Sequence, residues 1–148
     1  MSPLETKVRA LFDAYGKRSD DALQNPPRED VEGMIASFAS FFVESSPKGV
    51  IGGANDDRFR QVIPTGFARY RRFGGKHMTI KGIRVIELDR LHAVADVDWQ
   101  FDYVNKAGKA GQVTFTNFYC VTIAGGTPRI FAYMTPDEDQ AMQEHGLV

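Results

Sequence analysis

The sequence lacks the features that would tie it to a membrane, a nucleic acid or a disulfide framework. No apolar run approaches the roughly 20 residues of a transmembrane helix, and residues 1–5 lack the basic and then apolar pattern of a secretory signal. The net charge of −1 leaves no basic stripe for a polyanion. A single cysteine, Cys120, excludes an internal disulfide and indicates a reducing, cytoplasmic setting. We expect neither a membrane nor a nucleic-acid partner.

Metal-binding and phosphate-binding patterns are missing as well. The three histidines are dispersed along the chain, and no ligand spacing typical of a metal site occurs. The glycine pair at 52–53 is not followed by Lys-Ser or Lys-Thr, so it predicts a turn rather than a phosphate loop. We therefore expect no metal and no cofactor.

What the chain does contain is enough apolar material for one core. It has 148 residues, of which 43% are hydrophobic and 25% are charged. These values are typical of a single domain with a hydrated surface, and we expect residues 1–148 to form one domain.

The N-terminal third predicts two helices separated by a break. Ser2 and Pro3 suit the N-cap and first turn of the first helix, and Gly16 follows its last apolar residue. The paired prolines at 26–27 cannot continue a helix. A second helix is predicted for residues 29–42, because apolar residues again recur at helical spacing there.

A short strand and a third helix are predicted next. Residues 50–51 indicate a strand and residues 52–53 a turn. Asn55 or Asp56 could cap the third helix, in which Pro64 predicts a kink or a break.

From Met78 onward the hydrophobic period changes from helical to two. Four strands are predicted, at 78–88, 92–104, 112–124 and 129–135. Their short connections are typical of antiparallel hairpins. Helices followed by a meander of strands predict an α+β fold rather than alternating α/β units.

The two central strands have one apolar face each. In 92–104 the odd positions are apolar, whereas the even positions carry Asp96, Asp98 and Asp102. If these strands pair as a hairpin, the odd positions of 112–124 join the same face, and that face must meet the helices. Large aromatic side chains there predict either a filled core or a cavity lined by rings. The carboxylates at alternate positions share a face that we expect to be convex and wet.

The order of elements, together with residues 11–15, 41–47, 50–53, 93–99 and 129–133, carries a resemblance to a known family. Over nearly its whole length the chain resembles the NTF2-like superfamily, in the branch of SnoaL-like polyketide cyclases and ketosteroid isomerases. It implies a cone: a strongly curved, mostly antiparallel sheet closed by N-terminal helices and open at one end to a pocket. It also implies homodimers through the convex face, and functions from isomerases and cyclases to non-catalytic binding proteins.

The resemblance can be followed residue by residue. Tyr15 matches the first-helix tyrosine with which ketosteroid isomerases hold the substrate oxyanion, and Tyr119 falls at the position of the second donor. The isomerase base, an aspartate before a proline, is replaced here by Ser46. A serine cannot take a proton from carbon near neutral pH without a base of its own. Steroid-type isomerisation is therefore not expected unless Glu44 faces the pocket.

These considerations predict a pocket for a small hydrophobic molecule. They do not determine which face of the last strand points inward. His77 and His92 lie near strand ends, where a surface histidine is ordinary. Three functions remain open: a ligand-binding domain, an isomerase, cyclase or dehydratase acting on a hydrophobic ring compound, and an interaction module using the convex face. The predicted ligand-binding residues are Tyr15, Trp99, Phe101, Asn117, Tyr119 and Tyr133.

The even face of the strand 112–124 also predicts a homodimer. Phe118 and Cys120 interrupt an otherwise polar face, on which Thr114, Thr116 and Thr122 surround them. An apolar centre with a polar rim is typical of an interface.

Overall fold

One open, curled sheet of six strands with helices packed against it forms the fold, in a computed structural model that describes residues 1–148. In chain order the elements are α1 Pro3–Asp21, α2 Val31–Ala36, β1 Phe38–Ser46, β2 Gly49–Ala54, α3 Asp57–Arg72, β3 Gly75–Glu87, β4 His92–Val104, β5 Ala110–Thr122, β6 Arg129–Met134 and α4 Glu138–Glu144. The strand order is β2-β1-β6-β5-β4-β3, with β1 and β6 parallel and all other neighbours antiparallel. The predicted α+β class is confirmed.

Helix α1 packs its apolar stripe against β3 and β4. Ser2 is the N-cap, and its hydroxyl accepts a hydrogen bond from the backbone N–H of Glu5 at 3.0 Å. The helix continues past Gly16 to Asp21, further than the sequence predicts. None of the helices combines the length and the apolar character that crossing a bilayer would require.

The predicted second helix over 29–42 is wrong beyond Ala36. Asp30 caps a six-residue helix, after which the chain enters β1. Phe38 and Phe42 are four residues apart, a spacing that fits one face of a helix and one face of a strand equally well. Pairing with β2 and β6 decides for the strand, and Phe41 on its opposite face is 62% exposed.

The glycine pair at 52–53 lies within a strand, so the predicted turn there is also wrong. Gly52 pairs with Val43 and Gly53 pairs with Phe42, and the turn between β1 and β2 lies at Pro47 and Lys48 instead. The predicted strand at 50–51 is confirmed and extended to both sides.

Helix α3 begins as predicted, with Asp56 as its N-cap. Its carboxylate accepts a hydrogen bond from the N–H of Arg58 at 3.0 Å. The helix runs unbroken through Pro64 to Arg72, so the alternative of a break is wrong. Its last turn carries three arginines, which complement the helix dipole.

The central hairpin has the predicted register. In β4 and β5, Trp99 pairs with Phe115, Val97 with Asn117 and Ala95 with Tyr119. Every odd residue of β4 from 93 to 103 is buried, whereas Asp98 on the other face is exposed. The odd residues of both strands therefore face the helices.

A bulge in the β5–β6 ladder determines which residues of β6 face inward. Cys120 pairs with Ala132, but the next residue, Val121, pairs with Ile130. The extra residue in β6 lets Ile130 and Tyr133, three positions apart, both face the helices.

A C-terminal helix, α4, was not predicted from the sequence. Asp137 caps it, and Met142 is fully buried in the main core. This helix brings its first residue, Glu138, against Tyr70 of α3.

Candidate functional site

The concave face of the sheet and the helices α1, α2 and α3 line an open cavity of about 610 Å³. A smaller chamber of about 130 Å³ adjoins it and shares Tyr15, Asn117 and Tyr119 with it. Of the 23 residues that line the larger cavity, 14 are hydrophobic, so most of a ligand's surface would meet apolar groups. The total volume is in the usual range for small-molecule sites.

Three polar side chains meet at the junction of the two chambers. The indole N–H of Trp99 and the amide Nδ2 of Asn117 both donate to the Tyr119 hydroxyl oxygen, each at 3.1 Å. Since Tyr119 accepts both bonds, its own O–H is left to donate elsewhere. The amide Oδ1 of Asn117 is buried and has no partner in the protein. The cavity wall thus offers one donor and one acceptor side by side.

The tyrosines of the cavity remain protonated. Burial raises the pKa of Tyr119 to about 12, against the opposing effect of the bonds from Asn117 and Trp99. Burial, followed by the neighbouring hydroxyls of Tyr119 and Tyr133, holds the pKa of Tyr15 well above its usual range. These hydroxyls are therefore donors rather than bases near neutral pH.

Aromatic rings surround the outer part of the cavity. Phe42 packs on Phe59 with ring centroids 4.7 Å apart, and Phe38 contacts both. Tyr133 stacks on Tyr119 at 6.1 Å, which links this outer cluster to the polar group at the junction. Such ring pairs favour offset and edge contacts, and they leave faces for a flat ligand.

Two carboxylates reach the cavity from elements outside the central hairpin. Glu44 of β1 accepts a hydrogen bond from the Tyr133 hydroxyl at 3.1 Å. Glu138 of α4 accepts one from the Tyr70 hydroxyl. Both also line a mostly polar pocket of about 660 Å³ on the other side. The cavity is therefore apolar in its interior and acidic at this end.

The environment of Glu138 favours its protonated form. Burial raises the pKa of Glu138, and the Tyr70 hydroxyl and the Arg69 charge oppose this shift only in part. The carboxylates of Asp139 and Glu44 add to the increase.

We expect Glu138→Gln to raise the melting temperature near neutral pH. A folded-state pKa above the unfolded value means that ionisation of Glu138 costs stability as pH rises through the folded pKa. Glutamine removes that cost and can still accept the Tyr70 bond. The gain should vanish in acid, where Glu138 is protonated in both states. Thermal melts across pH measure it, with exposed Glu144→Gln of the same helix as control. A lower melting temperature at neutral pH would contradict this prediction.

Five of the six residues predicted for the pocket line one or both chambers. Tyr15, Asn117 and Tyr119 line both, Trp99 lines the smaller one and Tyr133 the larger. Phe101 does not line either. Its ring is fully buried against Tyr70 and Tyr103, because its position on β4 lies deeper in the core than Trp99.

The other polar candidates lie away from the cavity. His77 bonds Asp20 and His92 bonds Asp89, both at exposed positions. The convex carboxylates do not converge: Asp96 pairs with Arg84 and Asp98 accepts from Thr116. No group of three or more metal-ligating side chains is placed to hold an ion. The Ser46 hydroxyl faces the polar pocket and accepts from the N–H of Lys48.

Sequence reasoning named Glu44 only as an exception, should it face the pocket, and missed Glu138. Glu44 follows Phe38 and Phe42 on alternate positions of β1, a signal that becomes visible once this segment is taken as a strand. Glu138 follows Thr135-Pro136-Asp137, a sequence typical of a helix start. That signal could have predicted α4, although not its position at the cavity.

Comparison with known proteins connects the chain to others through structure alone. No protein-family model matches it, and no curated protein matches it either. The protein Aln2 from a Streptomyces species has a similar structure, with a TM-score of 0.66 and 17% identity over 97% of this chain and 98% of that one.

Two further solved structures carry family names. An NTF2-like superfamily protein from Salmonella enterica has a TM-score of 0.61 at 17% identity, covering 91% of this chain and 92% of that one. A ketosteroid isomerase-like protein from Erwinia carotovora atroseptica has a TM-score of 0.60 at 17% identity, covering 90% and 92%. At this identity the likeness establishes the fold and carries no activity with it. The protein therefore has the NTF2-like fold that the order of its elements predicts.

Proposed function

We propose that this protein binds a small hydrophobic ring compound in the cavity between its sheet and its helices. The ring lies among the aromatic side chains, and one oxygen of the ligand meets Asn117 and Tyr119. The binding residues are Tyr15, Trp99, Asn117, Tyr119 and Tyr133, without Phe101.

The observation that carries this proposal is the unpartnered Oδ1 of Asn117 in a mostly apolar cavity wall. A buried polar atom without a partner costs roughly 1–3 kcal/mol, so a protein rarely retains one without use. A ligand hydroxyl would donate a hydrogen bond to this oxygen and accept one from the O–H of Tyr119. Both hydrogen bonds become available only when a ligand is present.

The Asn117→Leu variant tests the proposal. Leucine has the same number and branching of side-chain heavy atoms as asparagine and removes the polar anchor, so the fold should persist. We expect binding of decalinol, a saturated bicyclic alcohol, to weaken about 10-fold by calorimetric titration. Undiminished binding in the variant would contradict the role of Asn117, and absence of binding by the native protein would contradict the proposed site.

Catalysis in the same cavity is the second candidate, as an isomerase, cyclase or dehydratase acting on a ring compound. Glu44 and Glu138 favour it, since a carboxylate that lines the cavity can act as a general base or acid. The inward face of the central hairpin has no such group. Tyr15, Asn117 and Tyr119 would polarise the substrate oxygen. Turnover of a cyclic ketone that is lost in Glu44→Gln but retained in Glu144→Gln would support it.

A homodimer through the convex face is proposed as the assembly, and this surface is also the candidate for an interaction module. Phe118 pairs with Met134 across β5 and β6, and these side chains are 40% and 43% exposed. Cys120 is the next outward residue of β5 and pairs with Ala132. Together these side chains form an apolar patch on the outer surface.

We expect Phe118→Arg to convert the dimer into a monomer. A guanidinium at the centre of the patch would have to be desolvated without a partner, at a cost of several kcal/mol. Light scattering over a range of concentrations measures the change, and Thr114→Arg at the rim of the same strand serves as control. A native protein that is monomeric at every concentration would contradict the assembly.

A further inference from the structure

Two carboxylates at the acidic end of the cavity form no ion pair within the protein. Glu44 and Glu138 line both the apolar cavity and the polar pocket beside it. The basic side chains of that pocket, Lys48 and Arg69, both pair with Asp139 instead, Lys48 at 2.8 Å. Only tyrosine hydroxyls bond the two glutamates directly.

Acidic side chains outnumber basic ones among the charged residues that line the cavity. Three lining residues carry carboxylates, Glu44, Asp56 and Glu138, against one guanidinium, that of the exposed Arg58. A low-dielectric cleft lined by one sign of charge concentrates that field and attracts ions of the opposite sign.

The rings next to Glu44 add a second attraction for a cation. Phe38, Phe42 and Phe59 form a cluster with centroids 4.7 to 5.1 Å apart. Tyr133, which bonds Glu44, lies 6.0 Å from Phe38. Aromatic faces attract ammonium groups through the ring quadrupole, by about 2 kcal/mol when the pair is desolvated. Carboxylates beside several aromatic rings therefore favour the binding of an ammonium group.

We infer that the ligand is a hydrophobic ring compound bearing a protonated amine, whose ammonium group lies between Glu44 and Glu138 with its ring among the aromatic side chains. This inference rests on the proposed function and names the ligand class for that site. Asn117, with its buried unpartnered oxygen at the inner end, provides the second contact. An amine paired with both glutamates would leave neither free to act as a base. We therefore expect this site to bind the amine rather than convert it.

Proton release on binding follows from the surroundings of Glu138. Tyr70 and Arg69 face it from α3, Asp139 from its own helix and Glu44 from β1. A cation placed against Glu138 lowers its pKa, so the complex holds fewer protons than the free protein. Amine affinity should therefore rise as pH rises through the range in which free Glu138 ionises.

Three probes that share one ring system separate the charge requirement from the ring requirement. Naphthylethylamine is cationic, naphthylethanol is neutral and naphthaleneacetic acid is anionic at about pH 8. We expect the native protein to bind the amine about 10-fold more tightly than the alcohol, and the acid more weakly than either, by calorimetric titration. In the Glu44→Gln/Glu138→Gln double variant the amine should lose this advantage, whereas Glu144→Gln should retain it.

The outcomes distinguish the ligand class from the site itself. Equal affinity for amine and alcohol in the native protein would overturn the amine while leaving the cavity as a binding site. A double variant that still preferred the amine would likewise overturn the inference that the two glutamates bind an ammonium group. Failure of all three probes to bind would overturn both the amine and the proposed function. Melting curves of the double variant check that it is folded, and we expect it to be no less stable than the native protein.

Discussion

Replacing Phe101 by alanine should destabilise the protein by about 4 kcal/mol, the largest single effect we expect. Its ring is fully buried between Tyr70 and Tyr103. The packing beneath it is tight, since a Cβ on Gly75 would lie only 2.6 Å from the Phe101 ring. Removing the ring leaves a void that a β-strand cannot close, and urea denaturation measures the resulting loss.

Phe115→Ala is the matched control for that change. Phe115 of β5 pairs with Trp99, which lies two residues before Phe101 on β4. The Phe115 side chain is only half-buried and lines both chambers. We expect a smaller loss of stability and a weaker affinity for decalinol. If Phe101→Ala left stability nearly unchanged, the core would have to lie elsewhere.

Asn117→Asp should cost about 2 kcal/mol near neutral pH. The aspartate would place a charge where the structure has a half-buried amide whose buried oxygen has no partner. Its folded-state pKa should be raised, so stability is retained below the unfolded value of about 4 and lost as pH rises through the folded value. Melts at two pH values test this sign directly.

Asp98→Asn is the control, since it makes the reverse exchange of amide and carboxylate on the opposite face. Asp98 is exposed and accepts a bond from Thr116 at 2.7 Å. We expect a change within about 0.5 kcal/mol. If Asp98→Asn were the damaging change and Asn117→Asp were silent, the register of the central hairpin would be inverted and the cavity assignment would fall with it.

The central hairpin could be predicted from sequence because its two faces differ so clearly. Trp99 and Asn117 lie at odd positions, where alternation over long strands leaves no ambiguity of face. Short connections then fix antiparallel pairing with the neighbouring strand. The inner wall of the cavity follows from these local rules alone.

The acidic end of the cavity could not be predicted in the same way. Phe38 and Phe42 are compatible with a helix and with a strand, and only the pairing of β1 with β2 and β6 resolves the choice. Because residues 29–42 were predicted as helix, the strand alternation that places Glu44 on the inward face was not recognised. Glu138 lies on a short helix that depends on tertiary contacts, since seven residues cannot hold a helix by themselves.

The inward face of β6 depends on a single bulge. Strict alternation would have placed Ile130 and Tyr133 on opposite faces, whereas the extra residue between them places both inside. No local signal in the sequence marks that bulge, because Phe131 and Ala132 suit a regular strand equally well. The Tyr133–Glu44 bond at the cavity is its consequence.

Fluorescence of Trp99 during titration with decalinol tests most directly whether the cavity is a ligand site. Trp99 is the only tryptophan, is 4% exposed and lines the smaller chamber, where it donates to Tyr119. Decalinol does not absorb at the wavelengths used, so any change reports the surroundings of this one indole. A saturable change that shifts to about 10-fold higher concentration in Asn117→Leu is the predicted result. A native protein whose Trp99 emission does not change, or changes without saturation, would contradict the site.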